Sequence, residues 1–251
     1  MSDTIERFSN RVENYVKYRP SYPPQVLQLF QTEMKLQKSS VLADIGSGTG
    51  ISSKLFLENG NTVFGVEPNR SMRGAAEEFL REFPNFKSTD GTAEKTNLPD
   101  ASIDLVIAAQ AFHWFDRKNA RLEFARILKD KGFIALIWNE RRLEANEFLR
   151  AYEKFLLEFG TDYEKVRHEN IDEKILRDFF QAEFSTASFL NVQTLDLAGL
   201  KGRMLSSSYM PSAADSRFEP MIAGLKRLFD KYAENGKIQI QYDTNVHYSQ
   251  I

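Results

Sequence analysis

From residue 41 to about 139, short apolar runs rich in β-formers alternate with stretches of helical periodicity. The runs are VLAD (41–44), TVFGVE (62–67), FKSTD (86–90), IDLVIAA (103–109) and FIALIWN (133–139). Near-continuous apolarity is what a strand needs when helices cover both faces of a parallel sheet, and strict alternation of the two patterns predicts βαβ units. The helical stretches carry stop signals. ISSKLFLENG closes on Gly60, and NRSMRGAAEEFLREF stops before Pro84. DRKNARLEFARILKDKG starts on Asp116 as an N-cap and predicts a helix to Gly132.

The flanks read differently. Residues 1–35 predict two short helices broken at YRPSYPP, and 141–181 are charged and helical, with no strand signal. A strand is expected at ASFLNVQTL (187–195), then helices around 196–206 and 214–234, then a last strand in KIQIQYDTNVHYSQ. The expected fold is α/β, a Rossmann-like, mostly parallel sheet of seven strands with helices on both faces and a helical insertion after strand five.

The first strand runs into an acid, Asp44, and then into Gly46, Gly48 and Gly50. In open α/β sheets ligands sit beyond the carboxyl ends of the strands, and glycines there allow positive φ and close approach of a ligand. The alternative is a plain glycine-rich turn. The spacing is G-x-G-x-G, and Ile51 stands where the dinucleotide fingerprint G-x-G-x-x-G places its last glycine. A P-loop would need a Lys directly after its glycines, and Gly50 is followed by ISSK. Both phosphate readings weaken. The second strand ends on Glu67, about 20 residues past the glycines, where a carboxylate can accept both ribose hydroxyls. A solvated acid at a strand end is the plainer alternative. Glycine loop plus ribose acid, without a phosphate signature, suggests an adenosine that carries no phosphate.

Composition narrows the classes. The chain has 251 residues, a hydrophobic fraction of 42% and a formal net charge of -2 from 33 basic and 35 acidic residues. A general nucleic-acid binder would carry a basic excess. With no cysteine, disulfides, thiolate nucleophiles and zinc–thiolate sites are excluded, and no metal site is expected. No apolar run approaches the roughly 20 residues that span a bilayer, and MSDTIERFSNR lacks an apolar signal-peptide core. A cytoplasmic enzyme with no membrane or nucleic-acid partner is the expectation.

VLADIGSGTG, VFGVEPN, GTAEKTNLPDASIDLVIAAQAFHWF and ILKDKGFIALIWN resemble the successive motifs of class I S-adenosylmethionine-dependent methyltransferases, over about residues 40–140. YVKYRPSYPPQV, LKGRMLSSSYMP and IQIQYDTNVHYSQ resemble, through weaker motifs, one small-molecule branch similar to trans-aconitate methyltransferase. The resemblance implies S-adenosylmethionine as cofactor and a last strand that runs antiparallel. Asp44, Gly46, Ser47, Gly48 and Gly50 would then line the methionine part of the cofactor. Glu67 would hold the ribose, with Pro68 and Asn69 beside the adenine. Thr92, Ala93 and Glu94 would form the opposite adenine wall. Many relatives have Asp or Asn at the place of Thr92, so a backbone contact from Ala93 is the one that does not depend on that departure. The implied organisation is one domain over 1–251: N-terminal lid helices in 1–35, a cofactor-binding core in 36–140, a helical insertion and sixth strand in 141–211 forming part of an acceptor lid, and a C-terminal helix and last strand in 212–251.

QAFHWF (110–115) follows the fourth strand. Gln110 can pair with the cofactor's amino-acid end, and an aromatic face beside a sulfonium contributes roughly 0.5–2 kcal/mol. Phe112, Trp114 and Phe115 read equally well as core. His113 is a candidate base that orients or deprotonates an acceptor, or a structural histidine. Arg19 would pair with the methionine carboxylate, with Tyr15, Tyr18 and Tyr22 in the same helix break. Tyr18, Trp114 and Tyr209 are candidate contacts to the acceptor, and Ser206, Ser207 and Ser208 face it or cap the next helix. The expected acceptor is a small organic molecule, with a carboxylic acid favoured. Two rivals stand beside this reading: a non-catalytic protein that binds adenosine or S-adenosylmethionine, and an NAD-dependent oxidoreductase. A nucleic-acid methyltransferase is disfavoured by charge, and by QAFHWF standing where an Asn/Asp-Pro-Pro-aromatic motif often sits.

Overall fold

The computed structural model describes residues 12–161, 163 and 171–251; expectations that fall on 1–11, 162 and 164–170 lie outside them. Helices α1 (Val12–Tyr18) and α2 (Pro24–Glu33) lead into β1 (Val41–Ile45). There follow α3 (Ile51–Glu58), β2 (Thr62–Val66), α4 (Arg70–Phe79), β3 (Phe86–Thr89) and β4 (Ile103–Ala109). After a 3-10 turn at Phe112–Trp114 come α5 (Arg117–Ile127), β5 (Leu128–Arg141), α6 (Glu147–Phe159) and α7 (Glu173–Phe180). The chain closes with β6 (Ser185–Leu195), α8 (Leu197–Leu205), α9 (Phe218–Tyr232) and β7 (Ile238–Gln250).

The strands form one seven-stranded sheet in the order β3-β2-β1-β4-β5-β7-β6. β7 slots between β5 and β6 and pairs antiparallel with both, while the other pairs are parallel. The chain steps outward from β1 to β3 and then crosses to β4 on β1's other side. That reversal makes the crevice beyond the carboxyl ends of β1 and β4 the place for a ligand.

Alternate residues of the inner strands feed two cores. Ile45, Val106, Leu136 and Trp138 pack with Phe112, Phe124 and Phe180 on one face. Leu42, Leu105, Ile107 and Ile137 pack with Phe30 and Phe56 on the other. Burial of each large side chain is worth about 1.5–3 kcal/mol. A third cluster lies off the sheet body, where α6, α8 and α9 meet the start of β7 through Leu149, Tyr152, Leu200, Met204, Leu225 and Tyr242. The two insertion helices therefore part company: α7 joins the first core through Leu176, Phe179 and Phe180, and α6 joins the third.

Two expected boundaries move. The helix expected to reach Gly132 ends at Ile127, because Leu128 already pairs with Ile103 in the sheet. The next aligned pair is Leu105 with Phe133, so KDKG is looped out as an irregularity in β5, with Lys131 at φ 59°. A Lys-Gly ending is chemistry shared by helix termini and tight loops. α4 stops at Phe79 rather than running to Pro84, and Leu80 caps it.

The N-terminal segment is fastened to the far side of the sheet. Gln193 Nε2 donates to the Tyr18 carbonyl at 2.8 Å, and Asn191 Nδ2 to the Ser21 carbonyl at 2.7 Å. The Tyr18 ring lies against Gly202 of α8, where a Cβ would stand 2.1 Å from it. The break between α1 and α2 thus bridges β6, α8 and the ligand end of β1.

Candidate active site

The glycine loop closes by backbone bonds. Gly46 N and Ser47 N donate to the Val66 carbonyl at 2.8 and 3.2 Å, which ties the loop to the end of β2. Gly46, Gly48 and Gly50 all have positive φ, at 67°, 55° and 82°, a region that L side chains enter only with strain. They differ in what they face. A Cβ on Gly46 would sit 2.6 Å from Ala111 Cβ, and one on Gly50 would sit 2.5 Å from Leu80. Gly48 meets only the flexible end of Met72, at 3.3 Å, and otherwise opens on a cavity.

That cavity has a volume of ≈ 400 Å³, in the range of small-molecule sites. Its first wall is the glycine loop (Gly46, Ser47, Gly48), Glu67, Pro68 and Asn69, with Thr92, Ala93 and Glu94 across from them. Glu67 is buried, and both of its oxygens are engaged. Oε2 accepts from Gly48 N at 3.0 Å and Oε1 from Asn69 N at 2.8 Å. Burial raises its pKa against those two bonds. A carboxylate has about four lone-pair positions, so two remain for ligand hydroxyls. Asn69 also caps α4, its Oδ1 accepting from Met72 N at 3.0 Å. Glu94 Oε1 accepts from Asp116 N at 2.8 Å, which fixes this wall to the start of α5.

Asp44 and Gly50 do not line the cavity. Asp44 is fully buried behind the loop, and its Oδ2 accepts from the Ser52 and Ser53 hydroxyls, each at 2.6 Å. Its Oδ1 has no hydrogen-bond partner, and burial pushes its pKa up to about 6. Asp44 holds the first turn of α3 in place, and Gly50 lets that helix begin against Leu80. Both support the loop from behind.

The floor comes from QAFHWF. Gln110 is left-handed at φ 57°, pinned by its N–H to the Ile137 carbonyl at 2.9 Å. Strain of this kind costs of order 1–3 kcal/mol and persists only where surroundings enforce it. It turns the chain so that His113, Trp114 and Phe115 line the cavity with Gln110, while Phe112 is fully buried, edge-on to Trp138 and Phe179. Phe112 is core.

The second wall is aromatic and cationic. Tyr15, Arg19 and Tyr22 from the N-terminal break meet Ser208 and Tyr209 from the loop after α8. Arg19 Nη2 donates to the Ser206 carbonyl at 3.1 Å, and its guanidinium lies 4.7 Å from the centre of the Tyr15 ring. Burial, and then the neighbouring Arg203 charge, hold its pKa below the ordinary value. Tyr18, expected at the acceptor, is turned onto Gly202 and does not reach the cavity. Ser206 is buried, its hydroxyl donating to the Arg203 carbonyl at 2.6 Å.

Four residues of this wall are not among the expected contacts: Arg141, and Asn139, Arg203 and Tyr242, which lie within ILKDKGFIALIWN, LKGRMLSSSYMP and IQIQYDTNVHYSQ. Arg141 pairs with Glu153, and its Nη2 donates to the Tyr163 hydroxyl at 2.6 Å. Asn139 Oδ1 accepts from Thr244 Oγ1 at 2.5 Å and from Asn191 Nδ2 at 3.2 Å, which joins β5, β6 and β7 at the cavity. A signal for Arg203 exists: it shares the inward face of α8 with Leu200 and Met204 at helical spacing, so an arginine falls on an apolar stripe. Among the described residues, no three His, Asp or Glu side chains are grouped to hold a metal ion, and no helix is long and apolar enough to cross a membrane.

Residues 43–136 match the family model described as a methyltransferase domain. Over that span the chain is similar to methyltransferase domains. An uncharacterised methyltransferase of Schizosaccharomyces pombe is 32% identical over 135 residues, covering 53% of each chain. One of Mycobacterium tuberculosis is 37% identical over 134 residues, 53% of this chain and 52% of that one. The chain spans about half the length of the curated relatives it matches. Solved structures agree on fold across nearly the whole chain. A candidate methyltransferase from an antibiotic biosynthesis pathway of Anabaena variabilis superposes with a TM-score of 0.64 at 24% identity, over 94% of this chain and 99% of that one. A candidate type II methyltransferase from Anaeromyxobacter dehalogenans gives 0.66 at 18%, over 93% and 98%. The matched span takes in the glycine loop, Glu67, the 92–94 wall and QAFHWF; the arginine–tyrosine wall, Asn139 included, comes from outside it.

Proposed function

We propose that the protein transfers the methyl group of S-adenosylmethionine to a small organic acceptor, with a carboxylic acid as the favoured class. The observation that carries this is the two-walled cavity: a cradle of backbone and carboxylate on one side, arginines and tyrosines on the other. The residues present suit the donor. A Cβ at Gly48 would occupy cavity space, and Glu67 keeps two lone-pair positions for ribose hydroxyls. Pro68, Asn69 and the backbone of Ala93 would border the adenine. Arg19 would take the methionine carboxylate with Gln110 nearby, and Trp114 and Phe115 offer ring faces to a cation. A dinucleotide suits the site less well. Its pyrophosphate belongs at a helix N-terminus, and here a buried carboxylate, Asp44, sits behind the first turn of α3, bonded to the Ser52 and Ser53 hydroxyls.

When bound, the donor supplies an activated methyl group on sulfur. What remains for the chain is positioning, which is worth roughly 7–11 kcal/mol when reacting atoms are held in line. A carboxylate acceptor is already a nucleophile and needs no base. His113 then orients it, and His113→Ala lowers turnover only modestly. For a hydroxyl acceptor, His113 would take the proton, and the same change would cost roughly 10²–10⁴-fold. The resemblance to the trans-aconitate methyltransferase branch favours the first case. Closure of the acceptor between QAFHWF, the N-terminal break and the residues around 206–211 supports a small molecule rather than a polymer, as does the acidic charge balance. The work would be done in the cytoplasm.

The test is transfer of labelled methyl from S-adenosylmethionine to a panel of small carboxylic acids and their alcohol counterparts. Label in a small product is the expected result. Label only in RNA, DNA or protein, with every small acid inert, would overturn it.

A further inference from the structure

Arg203 is buried, with 8% of its surface exposed, and lines the cavity from α8. Its two hydrogen bonds are long and go to neutral groups: Nε to the Tyr242 hydroxyl and Nη1 to Ser207 Oγ, both at 3.3 Å. A guanidinium has five N–H donors, so most of its capacity is unspent. Among the described residues, neither Arg203 nor Arg19 has a carboxylate within 4 Å, whereas Arg141, on the same wall, is paired with Glu153. Arg19 keeps a further buried nitrogen, Nε, without a partner. The Arg203 charge is close enough to disfavour the charge on Arg19. Buried charge of one sign is tolerated when something neutralises it, and here the chain itself does not.

The two arginines face different neighbours. Arg19 stands in the break beside Tyr15, at the edge that leads to Tyr22 and the glycine loop. Arg203 stands deeper in the α6–α8–α9 cluster, beside Tyr242 and the Tyr209 loop. On the function proposed above, which this inference rests on, the methionine carboxylate neutralises Arg19. One cationic group is left over.

We propose that Arg203 is the anchor for an acidic group of the methyl acceptor, with Ser207 and Tyr242 holding its guanidinium in the orientation that receives a carboxylate. The planar fork of an arginine accepts a carboxylate by two parallel bonds, which fixes the direction of the acceptor as well as its charge. The site therefore selects organic acids over their neutral counterparts. Tyr15, Tyr163, Tyr209 and Tyr242 on the same wall give the body of the acid flat apolar surface and leave hydroxyls at its edge.

Thermal shift on protein saturated with S-adenosylhomocysteine tests this, with benzoate, phenylacetate and succinate as probes and the matching amides as controls. The expected result is that at least one acid raises Tm in the wild type and its amide does not. In Arg203→Met that acid-specific shift disappears, while calorimetric affinity for S-adenosylhomocysteine stays within about threefold. Arg203→Lys keeps the charge without the fork, so it should fold even if the Met variant does not, and should bind the acid at least about fivefold more weakly than the wild type. Equal shifts from acids and amides, no shift from any acid, or a wild-type acid response in both variants would each overturn the proposal. Loss of S-adenosylhomocysteine binding in Arg203→Met, with the fold intact by circular dichroism, would also overturn it, by placing Arg203 at the donor. A wild type that binds no S-adenosylhomocysteine fails earlier and removes the proposed function itself.

Discussion

The two walls of the cavity are built by opposite means. Along the glycine loop the key groups are held by sequence neighbours or by the adjacent strand: Glu67 by Gly48 and Asn69, one oxygen of Asp44 by Ser52 and Ser53, Gly46 and Ser47 by Val66. Across from it, Arg19 and Arg203 come from segments far apart in sequence and meet no carboxylate among the described residues. The first wall is a preformed cradle of backbone, fit for a ligand that is the same in every turnover. The second is charge awaiting a counter-charge, and on the proposed function it is where selection among acceptors would lie. Walls built so differently should fail independently, so that on the proposed function donor and acceptor recognition separate under substitution.

Gly48→Val should have the largest effect. It places a β-branched side chain at φ 55° and fills cavity space, so affinity for S-adenosylmethionine should fall at least about a hundredfold, while circular dichroism reports an intact fold. Unchanged affinity would dissolve the idea of a preformed cradle.

Asp44 gives a pH test of how the cradle is supported. Its folded pKa is raised to about 6, above the unfolded value near 4, so the folded chain holds a proton that the unfolded chain releases. The resulting contribution to stability is full below pH 4, declines as pH rises, and is lost above about 6. Two units at roughly 1.4 kcal/mol each amount to about 3 kcal/mol. Denaturant unfolding of the wild type minus that of Asp44→Asn should fall by this order between pH 4 and 6.5. A flat difference curve would mean that the Asp44 pKa is not raised by folding.

Gly202→Ala strikes the other wall from behind. A Cβ there overlaps the Tyr18 ring, and overpacking of this kind costs about 1–3 kcal/mol. Tm should drop by several degrees, acid-specific shifts should weaken, and donor affinity should hold within about threefold. Equal damage to both would show that the walls are coupled.

The legibility of the two walls differs for a physical reason. A strand, a glycine loop and a helix are local, so VLADIGSGTG announces its geometry, and Glu67 follows one βα unit later. Local signals misled where one composition serves two structures. KDKG reads as a helix end but is looped out of β5 between two aligned pairs. Tyr18 lies within a tyrosine-rich break, and only packing decides that its ring goes to Gly202 rather than the cavity. The second wall was legible only in its flank segments, through Tyr15, Arg19, Tyr22, Ser208 and Tyr209; sheet order creates the rest. β7 enters beside β5, which sets Tyr242 opposite Arg141 and Thr244 opposite Asn139. No spacing along the chain encodes that meeting.

Glu67→Gln is the mildest of the set. It keeps the shape and the bond from Gly48 but removes the charge that receives ribose hydroxyls. Hydrogen bonds to a charged group exceed those to a neutral one by roughly 1 kcal/mol, so donor affinity should fall by about five- to tenfold in calorimetry, with acid-specific shifts preserved in protein saturated with S-adenosylhomocysteine.

On the proposed function the glycine-loop wall is shaped for an adenosine without a pyrophosphate. Calorimetric titration of the wild type with S-adenosylmethionine and, separately, with NAD tests that shape. A Kd in the micromolar range is expected for the methyl donor, about 8 kcal/mol of binding free energy, with no measurable binding of NAD. Micromolar binding of NAD with none of S-adenosylmethionine would contradict it.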